Sequence, residues 1–364
     1  MKQKINLAVI FGGASSEYGV SLISASSVID NLNRAEYEII MVGITRDGRW
    51  YHYKGDTKRI ADGTWTQCDN DQCLISPDSS VKSLMVIQND KISYIPIDVV
   101  FPVLHGKNGE DGTIQGLLEM AQVPFVGCGM TSSAACMDKA ITNTLLYSGG
   151  IKKAAFVWFY ADELEDYIDE IENRLKYPVF VKPANAGSSI GITKAKDRQS
   201  LIKSVRLAAA HDNKIVVEEE IQGREVECAV MGNENPIASI VGEIEPCNDF
   251  YDYEAKYESE SVLHIPAKLY KKLSDEVRET ALKAYKIMGC TGLARIDFFI
   301  RRYDSMVVLN EINTIPGFTS ISMYPKLFEA SNIKYSLLLD GLIELAIKRQ
   351  EAGNQNPDEA EVSE

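Results

Sequence analysis

Two short segments near the C-terminal end place charged and amide side chains at every second position. Arg295 and Asp297 are separated by one residue, as are Glu311 and Asn313. Alternate side chains of a strand point to the same face, so antiparallel strands would bring three oxygen ligands together beside one arginine. Mg²⁺ is typically held by one or two carboxylates and by phosphate oxygens, and an arginine can balance a transferring phosphoryl group. The spacing therefore predicts a magnesium site for phosphoryl chemistry.

Surface salt bridges on an ordinary hairpin are the alternative explanation of these residues. Ile296, Phe298, Leu309 and Ile312 are expected to form an apolar face on the opposite side of the two strands. Strands with one apolar face normally pack on a core, which would fix the polar face in position. We therefore favour the metal site.

A lysine at the end of an apolar strand precedes a loop rich in glycine and serine, FVKPANAGSSIG at 180–191. The ammonium of Lys182 suits phosphate oxygens, and the backbone N–H groups and hydroxyls of residues 187–191 could close over an anion. A plain strand connection with a surface lysine explains the pattern equally well. The glycine motifs of P-loops and of dinucleotide-binding turns are absent.

The glutamates at 218–220 follow an apolar strand at 215–217, and Glu225 lies close behind them. Such carboxylates could bind an adenine amino group and ribose hydroxyls. A charge run is more often a solvated face, so this segment alone does not predict a nucleotide site.

The elements around these residues indicate an α/β protein. An apolar segment at 5–11, a glycine turn at 12–13 and helical periodicity at 20–32 form the opening of a βαβ unit. The polar, tyrosine-rich stretch 246–266 lacks periodicity, which is typical of a lid or a disordered loop. Further strands are predicted at 156–159, 179–182, 294–300 and 306–311, and a helix at 138–148.

The chain has 364 residues and a net charge of −14. An acidic protein repels nucleic-acid phosphates and anionic membranes, so neither is an expected partner. Residues 351–364 hold five of the acids and no base, and their composition predicts a disordered tail.

The seven cysteines lack paired metal spacing and are expected to be reduced. Without a predicted membrane span or signal peptide, we expect a cytoplasmic protein.

Seven segments, in this order, resemble the D-alanine–D-alanine ligases of the ATP-grasp superfamily, and together they make the resemblance specific over roughly residues 5–348. The resemblance implies a three-domain ATP-grasp fold, with an α/β substrate domain at 1–136, a central domain at 137–227 and a catalytic domain at 228–350, followed by the tail at 351–364. The segments are FGGASSE at 11–17, PVLHGKNGEDG at 102–112, MDK at 137–139, VKPANAGSSIG at 181–191, FYDYEAKY at 250–257, RID at 295–297 and EINTIPGFTS at 311–320.

The resemblance implies ATP-dependent joining of two D-alanines through an acyl phosphate, for peptidoglycan precursor synthesis. Lys139 and Lys182 would contact the ATP phosphates, and Glu218, Glu219, Ile221 and Glu225 would bind adenine and ribose. Glu219 departs from the lysine that is common in the family, which affects only a side-chain role. Asp297, Glu311 and Asn313 would hold two Mg²⁺, or Mn²⁺ in their place, with Glu311 bridging.

The remaining implied roles concern the amino-acid substrates. Glu17 would bind the ammonium of the first D-alanine, in contact with Ser188 and Tyr257, and Arg295 and the Gly317 N–H would stabilise the oxyanion. Further substrate contacts would come from Lys256, Ser322, Met323 and His105. A loop imidazole bonded to backbone is the alternative for His105.

Three interpretations of function remain open. Met323 offers no strong donor to a serine hydroxyl, which favours D-alanine as second substrate. GITRDGRWYH at 43–52 is similar to the D-serine ligases of vancomycin-resistance clusters, so a D-alanine–D-serine ligase is the alternative. A catalytically dead nucleotide-binding module is opposed by the intact acidic and basic residues. A homodimer is implied by the family alone.

Overall fold

The computed structural model describes residues 3–245 and 262–353, in which strands form three sheets. The first sheet has seven strands in the order β6-β5-β4-β3-β2-β1-β7. β1 pairs in parallel with β2 and β7, whereas the other pairs are antiparallel. Its strands are β1 (Ile5–Gly12), β2 (Tyr37–Ile44), β3 (Trp50–Tyr53), β4 (Asp71–Ile75), β5 (Ser83–Gln88), β6 (Lys91–Pro96) and β7 (Val99–Val103).

The predicted strand–turn–helix opening is confirmed as β1 followed by α1 (Tyr18–Asn31). β1 is buried on both faces, as its continuous apolar run requires of a strand paired in parallel on both sides. Gly12 ends it at φ +88°, where a Cβ would lie 2.1 Å from the Ile44 carbonyl oxygen. Only glycine fits there, and the turn brings Glu17 to the start of α1. Other helices of this part are α2 (Thr57–Ala61), α3 (Thr113–Met120) and α4 (Met130–Met137).

The second sheet has four strands in the order β10-β9-β11-β8, and it carries the predicted lysine and glutamates. β9 alternates buried and half-buried residues, so Lys182 lies on the face opposite Val181. The apolar residues of one face form a core with two helices. The elements are α5 (Lys139–Ser148), β8 (Phe156–Tyr160), α6 (Leu164–Arg174), β9 (Val179–Pro183), β10 (Thr193–Ala195), α7 (Arg198–Ala209) and β11 (Lys214–Glu219).

The third sheet has five antiparallel strands in the order β14-β13-β12-β15-β16. The predicted strands at 294–300 and 306–311 are confirmed as its neighbours β15 and β16. The elements are β12 (Gly223–Met231), β13 (Ile237–Glu245), β14 (Val262–His264), α8 (Lys271–Ile287), β15 (Leu293–Arg301), β16 (Val307–Asn313), α9 (Met323–Ala330) and α10 (Tyr335–Gly353).

The first and third parts share a core. Leu7 and Phe11 of β1 belong to the same buried apolar cluster as Phe318, Tyr324 and residues of α10. The packing places the segment after β16 against α1 and the first sheet. This contact sets the distance between the two ends of the candidate site.

Two expected boundaries differ from the structure. The boundary after residue 227 falls inside β12, because the strand begins at Gly223 and pairs along its whole length with β15. Charged residues at its start, including Arg224, obscure the strand pattern. The tail predicted to start at residue 351 instead begins within α10, which continues to Gly353, since Gln350, Glu351 and Ala352 favour helix. The predicted tail from 354 onward lies outside the described residues.

Two further observations concern cysteines and membranes. All six cysteines of the described part of the chain are free thiols, as expected; Cys247 lies outside it. In residues 3–245 and 262–353, no helix has the length and apolar character required to cross a bilayer. Of the predicted 246–266 lid, only the end is described, where β14 pairs with β13.

Candidate functional site

β15 and β16 carry the predicted metal residues on one face of the third sheet. In the antiparallel register, Asp297 lies opposite Glu311, and Arg295 lies opposite Asn313. β12 adds Glu227 opposite Asp297. The apolar residues that alternate with them are buried in the core on the other face. The predicted arrangement of these two strands is therefore confirmed.

Arg295 lies at the centre of this polar face. Its Nε and one Nη donate to the two carboxylate oxygens of Asp297 at 2.8 and 2.7 Å, and Nε lies 2.9 Å from Glu227 Oε2. Asn313 Nδ2 also donates to Asp297, at 2.9 Å. Burial disfavours the charged guanidinium, but the carboxylates of Asp297 and Glu227 outweigh it and raise the pKa of Arg295. The guanidinium is therefore charged at every physiological pH.

The donors on this face fit a cation that also takes phosphate oxygens. Asp297 and Glu311 supply carboxylates and Asn313 supplies an amide oxygen, all of which are hard ligands. Within the described part of the chain, no three His, Cys, Asp or Glu side chains are grouped to hold a metal ion. Two carboxylates and an amide form an incomplete set, which is typical of Mg²⁺ sites completed by water and substrate phosphates.

A buried ion pair joins β9 to β11. Lys182 Nζ lies 2.6 Å from Glu218 Oε2, with side chains only 14% and 10% exposed. Asn143 donates to the other carboxylate oxygen at 2.8 Å. Burial opposes ionisation of Glu218, but Lys182 and Lys153 attract the carboxylate strongly enough to lower its pKa to about 2. The pair is therefore ionised at neutral pH.

Lys139 connects the first turn of α5 to the glycine–serine loop. The Asp138 side chain caps the helix by accepting from the N–H groups of its second and third residues, at 2.9 and 3.0 Å. Lys139 is thereby fixed as the first residue of α5, and its Nζ donates to the Ala186 carbonyl at 2.6 Å. The loop is held beside the lysine that was predicted to contact phosphate.

Lys153 is a third lysine of this region, and the sequence did not single it out. Its ammonium donates to the Asn310 carbonyl, next to Glu311. Burial lowers the pKa of Lys153 to about 8. The three lysines thus share one region with the carboxylates of Glu218, Glu311 and Glu225, and their ammonium groups are suited to phosphate oxygens.

Glu17 is placed by two glycines and a serine. Its carboxylate accepts a hydrogen bond from the Ser188 hydroxyl, and only 6% of the residue is exposed. A Cβ at Gly106 or Gly187 would lie 2.4 or 2.8 Å from Glu17 Oε2. A side chain at either position would therefore force the carboxylate to move. A carboxylate held in this way suits an ammonium group.

The loop that carries Ser188 has an unusual backbone. Ser188 and Ser189 adopt left-handed φ values of 47° and 59°, followed by Gly191 at 71°. Non-glycine residues rarely adopt these conformations, and they cluster at functional sites. Consecutive N–H groups in such turns can form a concave anion site.

His105 follows β7 and is buried, with both ring nitrogens engaged. Nδ1 lies 3.0 Å from the Ile315 carbonyl oxygen, and Nε2 lies 3.2 Å from Ser24 Oγ. Burial lowers the pKa of His105, an effect that Glu17 opposes and Arg295 reinforces. The alternative of an imidazole bonded to backbone thus describes its contacts, although the ring also lines the cavity described below.

Glu110 lies in the loop that His105 begins, before α3. It accepts from the Gly106 N–H at 2.7 Å and, more weakly, from the Ile315 N–H at 3.4 Å. Burial, reinforced by the nearby Glu17 carboxylate, raises the pKa of Glu110 to about 8. The side chain is therefore mainly protonated at neutral pH.

A cavity of about 670 Å³ brings most of the predicted residues together. A second, much smaller cavity shares Lys139 and Glu311 with it and contains Lys182 and Glu218. The predicted residues that line the large cavity are Glu17, His105, Lys139, Ser188, Arg295, Glu311, Asn313, Gly317, Ser322 and Met323.

The other predicted residues are placed differently. Asp297 is bonded to Arg295 and does not line the large cavity. The Glu219 carboxylate accepts from the Ala155 N–H at 2.8 Å. Glu219, Ile221 and Glu225 line neither cavity. Lys256 and Tyr257 lie outside the described residues.

Sequence reasoning missed Ser24, Glu110, Lys153 and Glu227 as members of the site. Glu110 lies within the segment 102–112 used for the resemblance, so its acidic type inside a glycine-rich loop was a usable signal. Glu227 becomes visible only from the pairing of β12 with β15. Ser24 and Lys153 have no sequence signal, because their contacts join distant segments.

Family models match most of the chain. The model described as D-ala D-ala ligase N-terminus matches residues 6–128, and that described as D-ala D-ala ligase C-terminus matches residues 145–344. A D-alanine–D-alanine ligase from Caldicellulosiruptor bescii is 50% identical over 351 residues, which cover 95% of this chain and 96% of that protein.

Solved structures agree with the family models. The VanG D-Ala:D-Ser ligase from Enterococcus faecalis superposes with a TM-score of 0.88 and 44% identity, covering 94% of this chain and 100% of that one. The D-alanine-D-alanine ligase from Coxiella burnetii gives a TM-score of 0.85 and 33% identity, covering 99% of this chain and 98% of that one. The chain therefore belongs to the D-alanine–D-alanine ligase family and has its ATP-grasp fold.

Proposed function

We propose that the protein is an ATP-dependent ligase that joins two D-alanines into D-alanyl-D-alanine, for peptidoglycan precursor synthesis. One observation carries the proposal: a single cavity holds a buried carboxylate suited to an ammonium, Glu17, and an arginine among hard oxygen ligands, Arg295. An amino acid bound by its ammonium at Glu17 would direct its carboxylate toward the positive charge at the other end.

The reaction has two steps. A carboxylate oxygen of the first D-alanine attacks the γ-phosphorus of ATP, so that an acyl phosphate forms and ADP leaves. The amine of the second D-alanine then attacks the acyl carbon, phosphate leaves with the C–O bonding pair, and the nitrogen gives up one proton, which the leaving phosphate can accept. The protein mainly positions the reactants and neutralises charge.

The phosphate-binding role belongs to the lysines. Lys139 and Lys182 would contact ATP phosphates, and their position in one cavity with Glu311 supports this role. Phosphate binding would draw Lys182 away from Glu218, which would then accept from the adenine amino group. Glu219 through its backbone, Ile221 and Glu225 would complete the adenine and ribose contacts.

Asp297, Glu311 and Asn313 would hold two Mg²⁺ ions, or Mn²⁺ in their place. Bound metal would neutralise phosphate charge during transfer. Arg295 stays charged beside these residues and, with the Gly317 N–H, would stabilise the developing oxyanion.

The amino-acid roles follow the two ends of the cavity. Glu17, with Ser188 and Tyr257, would bind the first D-alanine, and Ser322 and Lys256 would bind the second substrate's carboxylate. Ser322 lies beside Gly317, because a Cβ added at Gly317 would be 2.7 Å from the Ser322 Oγ. This proximity would place that carboxylate next to the oxyanion donor.

A D-alanine–D-serine ligase is the second candidate. The 44% identity to a D-Ala:D-Ser ligase over 94% of the chain favours it. Met323 is buried and lines the cavity without a strong hydrogen-bonding group, which favours D-alanine. An apolar pocket rejects one added hydroxyl by only about 100-fold, so the two activities can coexist.

Three organisational features accompany the proposal. The chain would comprise an N-terminal, a central and a C-terminal unit, the last beginning at Gly223 with β12. We also expect a cytoplasmic homodimer, which size-exclusion chromatography with light scattering would test.

The deciding experiment measures ADP release with Mg·ATP and D-alanine, then identifies the dipeptide formed from equal concentrations of D-alanine and D-serine. Predominant D-alanyl-D-alanine supports the proposal, and predominant mixed dipeptide supports the second candidate. No D-alanine-dependent ADP release would leave a nucleotide-binding module as the better interpretation.

A further inference from the structure

We propose that Ser24, His105 and Glu110, here called the Ile315 clamp, are positioning residues that fix the segment 314–318 and do not themselves bind substrate. The inference rests on the proposed function, because this segment carries Gly317, the proposed oxyanion donor. The clamp connects α1 and the loop after β7 to the segment after β16.

The hydrogen-bond partners define a single consistent chain. The Ile315 carbonyl can only accept, so His105 Nδ1 must carry the proton in their 3.0 Å contact. In a neutral ring, Nε2 then accepts, and the Ser24 hydroxyl donates to it at 3.2 Å. Ser24 Oγ in turn accepts from the Phe318 N–H at 3.3 Å. Every group has a partner in this arrangement.

A charged imidazole would break the chain. Both ring nitrogens would donate, and the Ser24 hydroxyl would have to turn away from Nε2 and find another acceptor. Burial supports the neutral form, since it lowers the pKa of His105. The geometry therefore assigns a neutral His105 with its proton on Nδ1.

Glu110 completes the clamp from the other side of Ile315. Its carboxyl accepts from the Ile315 N–H at 3.4 Å, while His105 donates to the carbonyl of the same residue. One short loop thus holds both backbone polar groups of a residue midway between Asn313 and Gly317. The same loop contacts Glu17, because the Ser15 hydroxyl donates to the His105 carbonyl at 2.8 Å and accepts from the Glu17 N–H at 3.1 Å.

The consequence is a fixed distance between the two halves of the reaction site. The ammonium ligand, Glu17, precedes α1, whereas the oxyanion donor, Gly317, lies in the segment after β16. Misplacement by about 1 Å can cost a factor of about 100 in rate. Loosening the clamp should therefore lower kcat and leave the KM for the first D-alanine nearly unchanged.

Ser24→Ala is the most direct test, because Ser24 is fully buried and does not line the cavity. Ser26→Ala is the matched control, since Ser26 lies on the same helix and donates to Thr57, away from the clamp. We expect kcat of S24A to fall about tenfold, with KM values for D-alanine and ATP within about twofold of wild type. Equal kinetics for S24A and S26A would overturn the proposal.

His105 variants separate positioning from substrate binding. His105→Asn retains a donor near the Nδ1 position for the Ile315 carbonyl, whereas His105→Ala removes it. We expect kcat to decrease from wild type through H105N to H105A. A raised KM for D-alanine with unchanged kcat in H105A would instead make the imidazole a substrate ligand and overturn the clamp.

Nitrogen-detected NMR of the histidine ring gives a readout independent of activity. The chain has four histidines, and comparison with H105N assigns the His105 signals. We expect a protonated Nδ1 and an unprotonated Nε2 at neutral pH; the opposite tautomer or a doubly protonated ring would contradict the clamp. If wild type forms no ADP with D-alanine, the proposed function fails, whereas active wild type with an unaffected S24A refutes the clamp alone.

Discussion

The two ends of the cavity are built in different ways. The strand-held end consists of Arg295, Asp297, Glu311 and Asn313 on the paired strands β15 and β16. The loop-held end consists of Glu17, His105, Glu110 and Ser188, which come from three separate segments. At the strand-held end, backbone pairing of the strands fixes the side chains. At the loop-held end, the positions of the side chains depend on their own hydrogen bonds and on the space left by glycines.

The difference predicts how each end responds to substitution. A polar side chain on the strand-held end can be changed without moving its neighbours, because the backbone register and the apolar face hold them. A change at the loop-held end should move several groups together. Substitutions at the strand-held end should lower activity without changing the structure, whereas substitutions at the loop-held end should change both together.

Glu311→Gln tests the strand-held end and should have the largest effect. The carboxylate loses its charge but keeps its shape, so we expect turnover to fall about a thousandfold, or about 4 kcal/mol in transition-state stabilisation. ADP release and thermal unfolding should be measured together. Glu329→Gln on the exposed face of α9 is the control. A near-normal rate would refute the metal assignment.

The same division separates the parts of the site that the sequence predicts from those that it does not. The residues 295–297 and 311–313 could be placed from alternation alone, because a strand has a fixed period of two. The interactions of Ser24 and Lys153 could not, because each joins segments far apart in the chain. The start of β12 was also missed, because the charged residues there do not show the apolar alternation of a strand that packs on a core. Local periodicity predicts a strand, but only packing determines which loops meet.

Lys182→Met probes the buried pair on β9 and β11. Glu218 would keep a buried charge without its cation, so we expect a loss of about 3 kcal/mol in the free energy of unfolding at pH 7. Because the pKa of Glu218 is lowered to about 2, the stability from the ionised pair is present above about pH 4.5 and is lost as the pH falls toward 2. Urea unfolding at several pH values measures both effects.

The double variant Lys182→Met with Glu218→Gln is the control for this pair. It removes both charges, so we expect it to recover much of the stability lost in the single variant. Equal losses in the single and double variants would show that packing, and not the unpaired charge, causes the effect. Neither variant should retain normal turnover, because Lys182 is proposed to bind phosphate.

Glu110→Gln tests the loop-held end through pH. The pKa of Glu110 is raised from 4.5 to about 8, so between these values the folded protein keeps a proton that the unfolded chain has lost. The free energy of unfolding should therefore fall as pH rises through this window, by up to about 1.4 kcal/mol per pH unit. The E110Q profile should be flatter than that of wild type. Parallel profiles would contradict the raised pKa, and Glu329→Gln should follow wild type.

Gly106→Ala and Gly48→Ala form the finest comparison. Both glycines have left-handed backbone, with φ values of +69° and +83°, but an added Cβ meets nothing within 4 Å at Gly48. At Gly106 it would lie 2.4 Å from Glu17 Oε2 and 2.9 Å from Ser15 Oγ. Both variants should lose about 1 kcal/mol of stability from backbone strain, measured by urea unfolding.

Only Gly106→Ala should also displace the Glu17 carboxylate, and with it the contact to Ser188. We expect its KM for the first D-alanine to rise about tenfold, which is about 1.4 kcal/mol, while Gly48→Ala keeps the wild-type KM. Initial rates over a range of D-alanine concentrations measure the difference. If the two variants bind D-alanine equally well, the space left by Gly106 is not what positions the Glu17 carboxylate. The loop-held end would then depend less on side-chain packing than the comparison with β15 and β16 implies.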